Sequence, residues 1–164
     1  MRWCYLDKKI IKIIIFIFLI ITITAISIII YARYVGTKNI KVNEIKLVEN
    51  IPDDFKGFKI VHISDIHYGK TTFEKELNEL KDKINLTKPD IVVLTGDLIN
   101  KETNLTEDDK KILIDFLSGI NAKINKYFIT GDNDVLFSEF NVIMKNGGFT
   151  NLDNSYDKIY NGSL

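Results

Sequence analysis

Apolar and polar positions fall into two regimes along the chain. From Ile13 to Ala32, twenty consecutive residues carry no charge and are mostly isoleucine and phenylalanine. That run matches the ~20 residues a helix needs to cross a hydrocarbon core. It predicts a transmembrane helix over 13–32, with Lys12 and Arg33 at its ends and residues 1–12 as a flank. A cleavable signal would have a shorter apolar core of about 7 to 15 residues and a small-x-small site. Tyr31-Ala32-Arg33-Tyr34 offers no such site, so an uncleaved single-pass anchor is expected.

Beyond the anchor the periods shorten. Residues 33–57 read as a linker and an edge strand: Ile40, Val42, Ile45 and Leu47 alternate with polar residues, and Asn50 to Gly57 supply turn chemistry. Residues 58–164 then read as one α/β domain with a βαβαβ core. Lys59 to Ser64 is a short strand, and Thr71-x-x-Glu74 has the spacing of a capping box opening a helix with Phe73, Leu77, Leu80 and Ile84 on one face. Ile91 to Leu94 is a continuous apolar strand. Thr106-x-x-Asp109 caps a second helix that buries Ile112, Phe116 and Leu117. Tyr127 to Ile129 is the third strand, Val135 to Lys145 a further helix stopping at Gly147-Gly148, and the tail a short strand and turn.

Charge narrows the partners. The first 33 residues hold five basic groups and one acid, so the remainder carries 17 basic against 21 acidic, a net −4. A net-negative soluble part without a basic run lacks the footprint that neutralises phosphates along nucleic acid, so nucleic acid is not an expected partner. Basic residues balance across the anchor, Arg2, Lys8, Lys9 and Lys12 against Arg33, Lys38, Lys41 and Lys46. The expectation is a membrane protein whose soluble domain lies on the extracytoplasmic side. Cys4 is the single cysteine, which leaves no disulfide within the chain.

The chemistry sits where the strands end. Each of the three apolar strands runs into an acid: Asp65 with His67 two residues on, Asp97 after Gly96, and Asp132 after Gly131. The acids are 32 and 35 residues apart, spacings that suit consecutive βαβ crossovers and gather them on the carboxyl edge of one parallel sheet, where ligands bind in such folds. Crowded carboxylates repel unless cations sit between them. Carboxylate, carboxamide and imidazole donors suit Mn²⁺, Fe or Zn²⁺. Strand-end acids could instead form a receiver-type phosphoacceptor pocket or simply cap helices. Asp134 reads as a helix N-terminal residue favoured by the dipole, and His62, within the first strand, as a structural histidine.

Asp65-x-His67, Gly96-Asp97 and Gly131-Asp132-Asn133-Asp134, with the flanking KIVHISDIHYGK and PDIVVLTGDLI, resemble the first three motifs of the calcineurin-like metallophosphoesterases, in their membrane-associated bacterial branch. The resemblance implies a phosphoester substrate and two divalent ions (Mn, Fe or Zn). Asp65 and His67 would hold the first ion, Asp97 would bridge, and Asp132 would hold the second. Asn133 stands where the family has a histidine that contacts the phosphate and assists the leaving group; a carboxamide can hydrogen-bond there but cannot donate a proton as an imidazolium does.

The family's later histidine ligands have no counterpart, because His62 and His67 are the chain's two histidines. The expected fold is therefore the first half of the family's α/β sandwich, one sheet face lacking its partner layer, with one bound ion as the alternative to two. The implied function is membrane-anchored phosphoester hydrolysis. The alternatives are a catalytically inactive, truncated relative that acts at most as a metal-binding or interaction module, and a half-site completed by a second polypeptide.

Overall fold

The computed structural model describes residues 8–32, 40–47 and 51–160, and the chain separates into two compact units, 1–45 and 46–164. The first unit carries helix α1, Lys8–Tyr31. At 1.5 Å per residue its 24 residues span about 36 Å, enough for a hydrocarbon core of about 30 Å. It starts earlier than the uncharged run, since lysines are good helix formers and extend the helix through the flank. Thr22 and Thr24 donate their hydroxyls to the carbonyls of Phe18 and Ile20, each at 2.8 Å, so both polar groups are satisfied within the helix.

The expected edge strand at 40–47 does not form. Those residues carry no strand structure, and Val42, Ile45 and Leu47 are 66%, 81% and 79% exposed. Alternation prepares a segment for pairing, but among the described residues no strand pairs with it. The turn expected before the domain is present as a 3₁₀ turn, Asp53–Phe55, followed by Gly57 in the left-handed region.

The second unit is a four-stranded parallel sheet in the order β1-β2-β3-β4. The elements run β1 (Ile60–Ile63), α2 (Glu74–Thr87), β2 (Ile91–Leu94), α3 (Glu107–Ser118), β3 (Asn125–Phe128), α4 (Phe140–Asn146) and β4 (Thr150–Asn151). Register is direct: Ile63 pairs with Leu94, and Leu94 with Phe128, so these strand ends lie level. Strand β3 begins two residues earlier than its apolar pattern suggests because Asn125 and Lys126 pair with Ile91 and Val92.

The core gathers Val92, Leu94 and Phe128 from the sheet with Leu77, Ile84, Leu113, Phe116, Leu117, Phe140, Ile143 and Met144 from the helices. Each such side chain, fully buried, stabilises the fold by about 1.5–3 kcal/mol. Phe128 meets Phe140 edge-on, centroids 5.6 Å apart, which fixes the last helix against the third strand. The opposite face of the sheet is only partly covered: Ile60 is 62% and Ile129 39% exposed, while the buried Tyr127 is reached by Asp157, which accepts its hydroxyl at 2.6 Å.

Capping corrects two details of the sequence reading. Helix α2 begins at Glu74 with Phe73 as its N-cap. Glu76, not Glu74, reaches back to the Phe73 N–H, and the Thr72 hydroxyl turns to the Ile66 carbonyl. Phe73, 53% exposed, therefore lies off the buried face. For α3 the expected box is present, Thr106 and Asp109 each accepting the other's backbone N–H. The helix expected over 135–145 is broken into a 3₁₀ turn, Asp134–Leu136, and α4. The break falls at Phe137, whose φ −108° and ψ 104° are extended.

Candidate functional site

The first two strands extend their pairing into the loops that follow them. Asp65 N–H donates to Gly96 O at 3.2 Å, His67 N–H to Asp97 O at 3.0 Å and Tyr68 N–H to Leu98 O at 2.8 Å. These bonds hold Asp65, His67 and Asp97 in the left-handed region, φ 56°, 48° and 55°. That conformation costs a side-chain-bearing residue roughly 1–2 kcal/mol, least for Asp, Asn and His. The backbone turns each of the three side chains toward one point above the sheet edge.

The third loop comes in against the second, glycine to glycine. A Cβ on Gly96 would lie 2.5 Å from Gly131 Cα, and one on Gly131 would collide with the backbone nitrogen and Oδ1 of Asp97. Only two residues without side chains permit this approach. Asp134 then locks it. Fully buried, its carboxylate accepts the N–H groups of Asp97 at 2.8 Å, Gly131 at 3.0 Å and Ile99 at 3.1 Å. Burial pushes the Asp134 carboxyl up from its ordinary range, against the three N–H bonds that favour its charged form. Sequence reasoning gave Asp134 a helix-end role; it does open the 3₁₀ turn, but its bonds stitch two loops together.

Asp65, His67 and Asp97 come together as expected, with one ligand atom from each lying within 4.8 Å of the others. His67 Nε2 lies 3.7 Å from Asp65 Oδ1 and 3.9 Å from Asp97 Oδ2, too far for hydrogen bonds. His67 Nδ1 is buried without a partner. Side-chain exposure grades across the cluster, 68% for Asp65, 28% for His67 and 21% for Asp97, so it opens to solvent on one side. Two carboxylates and an imidazole, facing one another without bonding, form a donor set that fits a divalent cation.

Asp132 does not join this group: it is exposed and lies outside the three that converge. Asn133 does reach the cluster. Its backbone N–H donates to Asp97 Oδ1 at 3.0 Å and its Nδ2 to Asp97 Oδ2 at 2.7 Å, so one residue holds both oxygens. The left-handed backbone and the Asn133 clasp were invisible to pattern reading; the glycines before Asp97 and Asp132 were the available sign of close-packed loops. His62 keeps its structural role, Nε2 lying 2.6 Å from Thr95 Oγ1.

The carboxylate–imidazole cluster thus sits at the carboxyl edge of a parallel α/β sheet, the edge where such folds bind their ligands. The chain belongs to the calcineurin-like phosphoesterase family, whose model matches residues 58–163. It is 33% identical over 133 residues, 79% of this chain, to the uncharacterized metallophosphoesterase YkuE of Bacillus subtilis. It is 27% identical over 116 residues, 69% of this chain, to a transmembrane protein with metallophosphoesterase domain of Danio rerio. It is 28% identical over 120 residues, 70% of this chain, to the UDP-2,3-diacylglucosamine pyrophosphatase LpxG of Chlamydia muridarum. The chain spans 46%, 26% and 36% of those relatives' own lengths. No solved structure matches it.

Proposed function

We propose that this chain is a membrane-anchored, divalent-cation-dependent phosphoester hydrolase, with Asp65, His67 and Asp97 holding the cation. The observation that carries the reading is the convergence of those three donors within 4.8 Å at the sheet's carboxyl edge. A bound divalent ion would supply the charge that polarises a phosphoryl oxygen and acidifies water. The chain's own residues do the positioning. Backbone bonds from Asp65 and His67 to the 96–97 loop fix the first two donors, and Asp134 and Asn133 fix the third. Exposure at Asp65 leaves the open side for substrate. LpxG, a relative that acts on a pyrophosphate, widens the candidate substrates to phosphoanhydrides at a membrane surface.

The anchor belongs to the same proposal. Helix α1 is long and apolar enough to span, and a domain beyond about 60 residues translocates largely regardless of charge, so with basic residues balanced across the helix we place the domain outside. Protease treatment of intact cells is expected to remove the domain; protection would reverse the topology.

Detergent-solubilised full chain with Mn²⁺ is expected to cleave bis-(p-nitrophenyl) phosphate or a pyrophosphate diester, and Asp97→Ala to return the rate to background. Turnover that survives Asp97→Ala would sink the mechanism. A second reading, a metal-binding module without turnover, is favoured by one observation, the exclusion of Asp132 from the cluster. Mn²⁺ binding without cleavage of either substrate would select it.

A further inference from the structure

A carboxylate that bridges two cations must offer one oxygen to each. In this site the sharing is already taken up on one side. Asp97 faces His67 and Asp65 on its open side, while on the side of the third loop both oxygens are engaged by Asn133, Oδ1 by the backbone N–H at 3.0 Å and Oδ2 by the carboxamide at 2.7 Å. The backbone of the third loop leaves no slack there, since Gly131 packs directly on Asp97 and Asp134 holds the Asp97 N–H from beneath. With Asn133 donating to both of its oxygens, Asp97 has fewer lone pairs left to offer a second cation. Asp132, the acid expected to hold a second ion, lies outside the group of three that converge.

We propose that Asn133 makes this a one-cation centre: its two donors stand in for a second ion on Asp97 and orient that carboxylate toward the Asp65–His67 side. Both tasks follow from donor chemistry. Two N–H groups compensate the charge on the far side of Asp97, and they fix the plane of the carboxylate before any ion arrives. Partners of this outer kind typically carry about 10–100-fold in metal affinity. Asn133 is thereby a positioning residue, acting on the cation through Asp97. The inference rests on the reading of Asp65, His67 and Asp97 as cation ligands, and binding can test it without turnover.

The experiment is a Mn²⁺ titration of the full chain in detergent by calorimetry, with low-temperature electron paramagnetic resonance on the same samples. Wild type is expected to bind one equivalent with the six-line spectrum of an isolated Mn²⁺. Asn133→Ala, its melting temperature checked alongside, is expected to bind that one ion about 10–100-fold more weakly. Two tight equivalents with an exchange-coupled spectrum in wild type would overturn the inference while leaving the hydrolase reading intact. So would an Asn133→Ala variant of unchanged affinity, or one that falls from two equivalents to one. Absence of any binding in wild type would overturn the cation-ligand reading itself, and the inference with it.

Discussion

At the scale of single residues, the site depends on acids that differ in everything but their side-chain chemistry. Asp65 is largely exposed, Asp97 largely covered, and Asp134 sealed beneath them with three backbone donors. An isosteric change separates the charge of Asp134 from its shape. Asp134→Asn places an N–H₂ against either the Ile99 N–H or the pair from Asp97 and Gly131, donor facing donor in a buried setting. The expected loss is about 1–3 kcal/mol of stability by urea unfolding, and a loss below half a kilocalorie would show that the carboxylate is not the lock. The sequence made Asp65, His67 and Asp97 legible because an apolar run ending in an acid is a repeated, countable pattern. It assigned Asp132 to a second ion and Asn133 to the phosphate, and did not foresee Asn133 bonding Asp97. Which of two adjacent polar side chains faces the site depends on the turn taken at Gly131, and that turn is set by Gly96 across the loop.

Among elements, the amino ends of the strands are as firmly tied as the carboxyl ends. Asp90 exchanges backbone bonds with Lys59 and Ile124, and its carboxylate accepts Lys59 N–H and Lys123 Nζ, each at 2.6 Å, so one residue links the starts of β1, β2 and β3. The Lys123 ammonium first, and the Lys59 N–H after it, hold the Asp90 carboxyl below its ordinary range. A depressed carboxyl contributes stability that is fully present above its unfolded value of about 4 and is lost as pH falls through the folded one. Acid titration is therefore expected to destabilise the domain progressively below about pH 4, and Asp90→Ala to remove part of that dependence along with about 1–3 kcal/mol at neutral pH. A variant whose acid profile matches wild type would refute this account. Periodicity exposed these elements well, since β2, α3 and the stop at Gly147-Gly148 lie close to where the pattern put them. It missed two places: the expected 135–145 helix breaks at the extended Phe137, and the alternating 40–47 segment pairs with no strand among the described residues.

For the molecule as a whole, the sheet is layered on one face and partly bare on the other, with Ile60 and Ile129 exposed beside the covered Tyr127. The sequence reading expected one face without its partner layer; among the described residues Ile60 and Ile129 are exposed on that face. Membrane association belongs to this scale too. Full chain is expected to stay with membranes through alkaline carbonate extraction, and a variant lacking residues 8–31 to appear in the supernatant. Extraction of the full chain would mean that α1 does not span. The long apolar helix was legible, because twenty uncharged residues are an unbroken signal; the bare face of the sheet was expected only through family resemblance.

The left-handed backbone at three donors has an evolutionary consequence. Glycine is the residue most at ease at such positions, and Asp65 is exposed with little to lose in packing. Asp65→Gly should raise the melting temperature, relieving roughly 1 kcal/mol of conformational strain, while Mn²⁺ binding collapses. Selection for stability alone would therefore erode this centre toward glycine. Aspartate and histidine at these strained positions imply that something other than stability keeps them there, and a glycine at the same places in a related chain would mark a domain that has kept its fold and given up its chemistry.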